Sequence, residues 1–142
     1  MTRVNFYLLP NDDMQQRLQF TCRLTGKAYR LGKQVFIHTN SEQETQALDK
    51  LLWTFQKSSF LPHCIHREGD EMPPPVTLAH DSEPVTRDVL INLADDVPLF
   101  FSRFDRVAEL INQDTTIKQQ GRVRYSFYKE RGYPMETHTI DK

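Results

Sequence analysis

Glycine is scarce in this chain. Only Gly26, Gly32, Gly69, Gly121 and Gly132 occur in 142 residues, and none stands in a G-x-G-x-x-G or G-x-x-x-x-G-K-[ST] pattern. A phosphate-cradling loop needs small residues and free backbone N–H groups, so no nucleotide loop is legible. Cysteine is scarcer: Cys22 and Cys64 stand in unrelated contexts, which reads as two reduced packing residues and no disulfide. No apolar run approaches the roughly 20 residues of a membrane span, and Met1-Thr-Arg-Val-Asn-Phe6 lacks a signal-peptide pattern. A cytoplasmic protein with no membrane association is therefore expected. An excess of one charge is also missing: 18 Lys and Arg face 19 Asp and Glu, a formal net charge of −1. The chain as a whole has no sequence-independent attraction for nucleic acid. No Ser or Cys sits in a G-x-S-x-G nucleophile elbow, so no catalytic residue is identified.

What is present alternates between two periods. Val4 to Leu9 is an apolar, aromatic run ended by Pro10-Asn-Asp-Asp13, a strand followed by a turn and a helix cap. Leu18, Cys22, Thr25 and Tyr29 then recur at helical spacing as far as Gly32. Lys33 to His38 predicts a second strand, and Asn40-Ser-Glu-Gln-Glu44 opens a second helix carrying Ala47, Leu48, Leu51, Leu52 and Phe55. From Lys57 to Val85, Pro62, Pro73, Pro74, Pro75 and Pro84 predict loop around one short strand, Val76 to Ala79. Arg87 to Leu93 returns as a strand, and Asp95 to Phe101 predicts a capped helical turn with Pro98 early in it. A last strand is expected to end at Ile111, before a terminal helix. The alternation predicts one α/β domain, residues 1–142, mainly a parallel sheet with helices on both faces. Strands near 4–9, 33–38, 88–93 and 105–111 are expected to form its centre.

That architecture often carries nucleotides, but its first strand-to-helix turn is Leu9-Pro-Asn-Asp-Asp13. A proline without a donor and two carboxylates oppose a phosphate there. His63-Cys-Ile-His66 offers zinc-ligand types without a second pair elsewhere, so packing and surface roles account for it more simply, and no metal or other cofactor is expected. Asp95-Asp96 reads as a cap and dipole partner at a helix start.

The terminal helix, Ile117 to Glu130 before Gly132, is the most informative stretch. At about 100° per residue, Arg122, Tyr125, Ser126 and Lys129 share one stripe, whereas Ile117, Arg124 and Tyr128 share a face suited to packing. Lys118, Arg122, Arg124, Lys129 and Arg131 face a single acid, Glu130. Cations beside a phenol ring suit a carboxylate with an apolar neighbour, as in an acidic, aromatic peptide. The same charges also fit a plainer role, offsetting the negative end of the helix dipole. A second notable stretch is Leu51-Leu-Trp-Thr-Phe55 and its continuation to His63. Trp53 and Phe60 there either dock a partner or close the core beneath the helix.

Asn5-Phe-Tyr-Leu-Leu9, Gly32-Lys-Gln-Val35, Leu52-Trp53 with Phe60-Leu-Pro-His63, Arg87-Asp-Val-Leu-Ile-Asn-Leu93, and Arg122-x-Arg124-Tyr125-x-x-Tyr128 with Gly132 occur in one order and spacing. In these the chain resembles the chi subunits of bacterial DNA polymerase III holoenzyme, clamp-loader accessory proteins. The resemblance implies a nucleotide-fold-like protein with no nucleotide, cofactor or enzymatic activity. It implies a DNA-replication adaptor that forms a heterodimer with the psi subunit and, through it, joins the clamp loader. The other partner implied is the acidic C-terminal tail of single-stranded-DNA-binding protein, so DNA is reached only indirectly. The tail contacts carry over onto Ile111, Arg122, Tyr125 and Lys129, and the psi contacts onto Trp53 and Phe60. Ser126 departs from the family, which often has a lysine after the tyrosine; Lys129, one turn later, is the cation that can compensate. The rival readings are a small-molecule or nucleotide-binding enzyme on an α/β scaffold and a direct nucleic-acid binder.

Overall fold

The computed structural model describes residues 1–55, 61–66, 74–84 and 87–141. Its elements are β1 (Arg3–Leu8), α1 (Met14–Arg30), β2 (Val35–His38), α2 (Glu42–Thr54), β3 (His63–Ile65), β4 (Val76–Ala79) and β5 (Val89–Asn92). A 3-10 turn (Phe101–Arg103), β6 (Arg106–Ile111), α3 (Thr115–Glu130) and β7 (Met135–Thr139) complete the chain. The strands form one sheet in the order β3-β4-β2-β5-β6-β1-β7, and each neighbouring pair is parallel. The four strands expected at the centre, now β2, β5, β6 and β1, are consecutive in that order.

Local chemistry sets the helix boundaries. Asp13 caps α1 by accepting the Gln15 N–H, Ser41 caps α2 by accepting that of Glu44, and Asp114 caps α3 by accepting that of Ile117. Gly32 and Gly132 follow α1 and α3 with φ of 78° and 76°, a conformation in which any Cβ is strained. The return bonds Lys33 N–H to Ala28 O and Tyr133 N–H to Tyr128 O then close both helices as Schellman motifs.

Two apolar layers result. On one face α1 and α2 bury Leu18, Cys22, Leu48 and Leu52 against Ile37, Leu78, Ile91 and Leu110. On the other, α3 and the 3-10 turn bury Tyr128, Phe101 and Phe104 against Val4, Phe6, Phe36 and Val107. Cys22 is buried, and burial pushes its thiol up to about 12.

Three expectations need correction. β3 lies in the stretch expected to be loop; three residues after Pro62 are enough to pair with β4. β7 follows the helix expected to be terminal and pairs with β1. Its sequence Met-Glu-Thr-His-Thr has no apolar signature because an edge strand covers little core. Finally, the helical turn starts at Phe101, beyond Asp95-Asp96, so neither acid caps it. Asp95 instead exchanges two hydrogen bonds with the Asn40 side chain, at 2.8 and 3.2 Å.

Candidate functional site

The α3 face of the sheet carries an open cavity of about 330 Å³ between α3, β1, β6 and β7. Its floor is apolar: Phe6 and Leu8 from β1, and Ile111 at the end of β6. Lys118, Gly121, Arg122 and Tyr125 from α3 form one wall, and Thr137 of β7 lies opposite. Gly121 allows the helix to come this close, because a Cβ there would stand 2.6 Å from Cδ1 of Ile111. Tyr125 is 37% exposed and sets its ring edge-on to Phe6, with 5.3 Å between centroids. Lys118 Nζ donates to Gln113 Oε1, whereas Arg122 forms no ion pair among the described residues. The site therefore combines an apolar floor, an aromatic edge and two cations at the rim.

The opposite side of α3 anchors it. Arg124 Nε donates to Glu109 Oε1 at 2.9 Å, and Tyr128 Oη and Asn92 Nδ2 donate to Glu109 Oε2 at 2.8 and 3.0 Å. Arg124 Nη1 also donates to the Asp95 carbonyl at 2.6 Å. Burial pushes the Glu109 carboxyl up, while Arg124 and the three hydrogen bonds pull the other way. Burial likewise pushes the Tyr128 phenol up, reinforced by the Glu109 charge. One of the four cations within α3 is thus a buried structural partner. The spacing had placed Arg124 on the packing face, which is where it lies.

Relatives match nearly the whole chain. Residues 1–136 match the family of the DNA polymerase III chi subunit, HolC. The chain belongs to that family. DNA polymerase III subunit chi of Pseudomonas aeruginosa is 42% identical, over 100% of this chain and 99% of its own length. Its counterpart in Escherichia coli is 32% identical, over 98% and 99%. Among solved structures, the crystal structure of T4 UvsW shares the fold, with a TM-score of 0.68 at 10% identity; the match covers 98% of this chain and 41% of that one.

For this chi-family chain, the residues named from sequence separate into three groups. Ile111, Arg122 and Tyr125 meet in the cavity. Ser126 and Lys129 are exposed on α3 but do not line it, and Lys118, one turn before Arg122, supplies the second cation. Phe6, Leu8, Gly121 and Thr137 were missed. The one available signal was Gly121, an isolated glycine inside a helical pattern, which usually marks close packing. On the second surface, Trp53 is 55% exposed and its ring lies 4.5 Å from that of His63, so it does not close the core. His63 is fixed beneath it, 2.7 Å from the Leu61 carbonyl and 3.4 Å from Asp49 Oδ1. Phe60 lies outside the described residues. No group of His, Cys, Asp and Glu able to hold a metal occurs among the described residues, and no described helix is long and apolar enough to cross a membrane.

Proposed function

We propose that this chain is a non-enzymatic adaptor that bridges the psi subunit to the acidic C-terminal tail of single-stranded-DNA-binding protein. The observation that carries the reading is the α3 cavity. Its apolar floor suits the terminal aromatic ring of a peptide, and Arg122 and Lys118 at its rim suit the peptide's carboxylates. Tyr125 flanks the ring, and Lys129 and Ser126 extend the contact along the exposed helix face. Trp53, with Phe60, is the psi-side surface, and psi in turn connects the chain to the clamp loader. The enzyme alternative finds little support at the first strand-to-helix turn: Asp13 already occupies the amide of Gln15, where an anion would sit.

Calorimetric titration tests the reading. A peptide rich in acids and ending in Pro-Phe should bind, whereas ATP and an oligonucleotide should not. Removing the final phenylalanine should abolish most of the affinity, since the apolar floor distinguishes this site from a basic patch. Binding should weaken as salt rises, because the screening length falls from about 10 Å at 0.1 M to about 3 Å at 1 M. Equal binding of the truncated peptide would refute the assignment.

A further inference from the structure

β7 is the last strand of the sheet, and its outer edge has no partner among the described residues. In a parallel pair, alternate residues bond to a given neighbour. Val4 N–H donates to the Pro134 carbonyl, and Ile140 N–H donates to that of Leu8. With the register Phe6↔Thr137, those bonds assign Glu136 and His138 to β1. The N–H and C=O groups of Met135, Thr137 and Thr139 therefore point outward.

The edge is also lightly guarded, Glu136 being its one acidic residue. Its five residues contain no proline or lysine, the usual protections of an exposed edge. Moreover, Thr137 belongs to two surfaces at once: its side chain lines the α3 cavity, while its backbone faces the open edge. A chain leaving the cavity past Thr137 meets a row of free amides. We propose that the acidic peptide held in the α3 cavity continues as an eighth strand along β7, hydrogen-bonded to Met135, Thr137 and Thr139. This rests on the tail-site reading above.

Charge selects the occupant. Side chains of the added strand on the α3 side approach Lys118 and Arg122, so carboxylates are favoured there. A second copy of β7 paired antiparallel would present Met135, Thr137 and Thr139 on that side, none of them acidic. On the other side β7 presents Glu136 and His138, 3.6 Å apart, and His138 is also stacked on Tyr7 at 4.9 Å and 3.2 Å from Asn5 Oδ1, so carboxylates of the added strand belong on the α3 side. Backbone bonds along β7 supply affinity without reading sequence, and the cavity supplies specificity for the terminal residue.

Amide hydrogen exchange on the ¹⁵N-labelled full chain, with and without the acidic peptide ending in Pro-Phe, tests this. Met135, Thr137 and Thr139 should exchange at least about tenfold more slowly in the complex. Glu136 and His138, bonded to β1 throughout, should change little. Thr139→Pro removes one outward N–H without touching a β1 bond, and should weaken the peptide about fivefold, the equivalent of one hydrogen bond. A shorter peptide ending in Pro-Phe, unable to reach Thr139, should bind both proteins alike. If the peptide binds in an Arg122-dependent way but the three amides are not slowed, strand addition is wrong and the tail site stands. If it does not bind at all, both fall. Slowing without peptide that follows protein concentration and dimer mass would instead assign the edge to a second copy.

Discussion

Cδ1 of Ile111 occupies the space into which a Cβ on Gly121 would project, 2.6 Å away. The floor of the cavity and the approach of its helical wall are therefore set by one contact. Gly121→Ala gains about 1 kcal/mol of helix propensity. It also forces the Ile111 tip out of its rotamer at about 0.5–1.5 kcal/mol. Stability should change little, while affinity for the acidic peptide falls several-fold as Ile111 shifts in the cavity. Adding Ile111→Val, which deletes Cδ1, should restore part of the binding. Denaturant melts beside calorimetry separate the two effects.

Arg122 and Arg124 should behave oppositely. Arg122→Ala removes an exposed cation, so stability should hold while peptide affinity drops roughly ten- to a hundredfold, as for the loss of a charged hydrogen bond. Arg124→Ala strips Glu109 of its buried partner and should cost about 3–5 kcal/mol of folding stability. Equal loss of stability in both variants would contradict this division of the helix into two faces.

Trp53→Ala should leave the fold and the acidic-peptide affinity unchanged, because the ring is half exposed and remote from the α3 cavity in the fold. Truncating an interface aromatic commonly costs about 2 kcal/mol or more, so co-purification with psi should weaken roughly thirtyfold. Retention of psi at wild-type strength would remove Trp53 from that surface.

His38 predicts a pH dependence. Burial, with the nearby His80, holds its folded-state pKa below the ordinary value of about 6.5, and a backbone hydrogen bond at Ala79 opposes them only in part. The unfolded chain then binds the proton more readily. The stability this group contributes is complete above about pH 6.5 and is lost as pH falls toward the folded-state pKa. In urea melts at pH 7.5 and 5.5, the wild type should lose more stability on acidification than His38→Gln.

Much of the fold follows from local chemistry that a sequence displays. Three capped helices, two glycine stops and four apolar runs are short-range signals, and they place β2, β5, β6 and β1 correctly. Edge strands escaped: β3 and β7 are short or polar and bury too little apolar surface to leave a periodic mark. The site divides the same way. Helical spacing alone separates the Arg122 and Tyr125 stripe from the Arg124 and Tyr128 face, because that angle is a property of the helix. Only the tertiary structure decided that Lys118 rather than Lys129 stands beside Arg122 at the cavity, that Phe6 and Leu8 complete the floor, and that Thr137 closes it. Those contacts depend on where α3 crosses β1 and β7, a geometry governed by the buried Glu109–Arg124 pair and the missing side chain of Gly121.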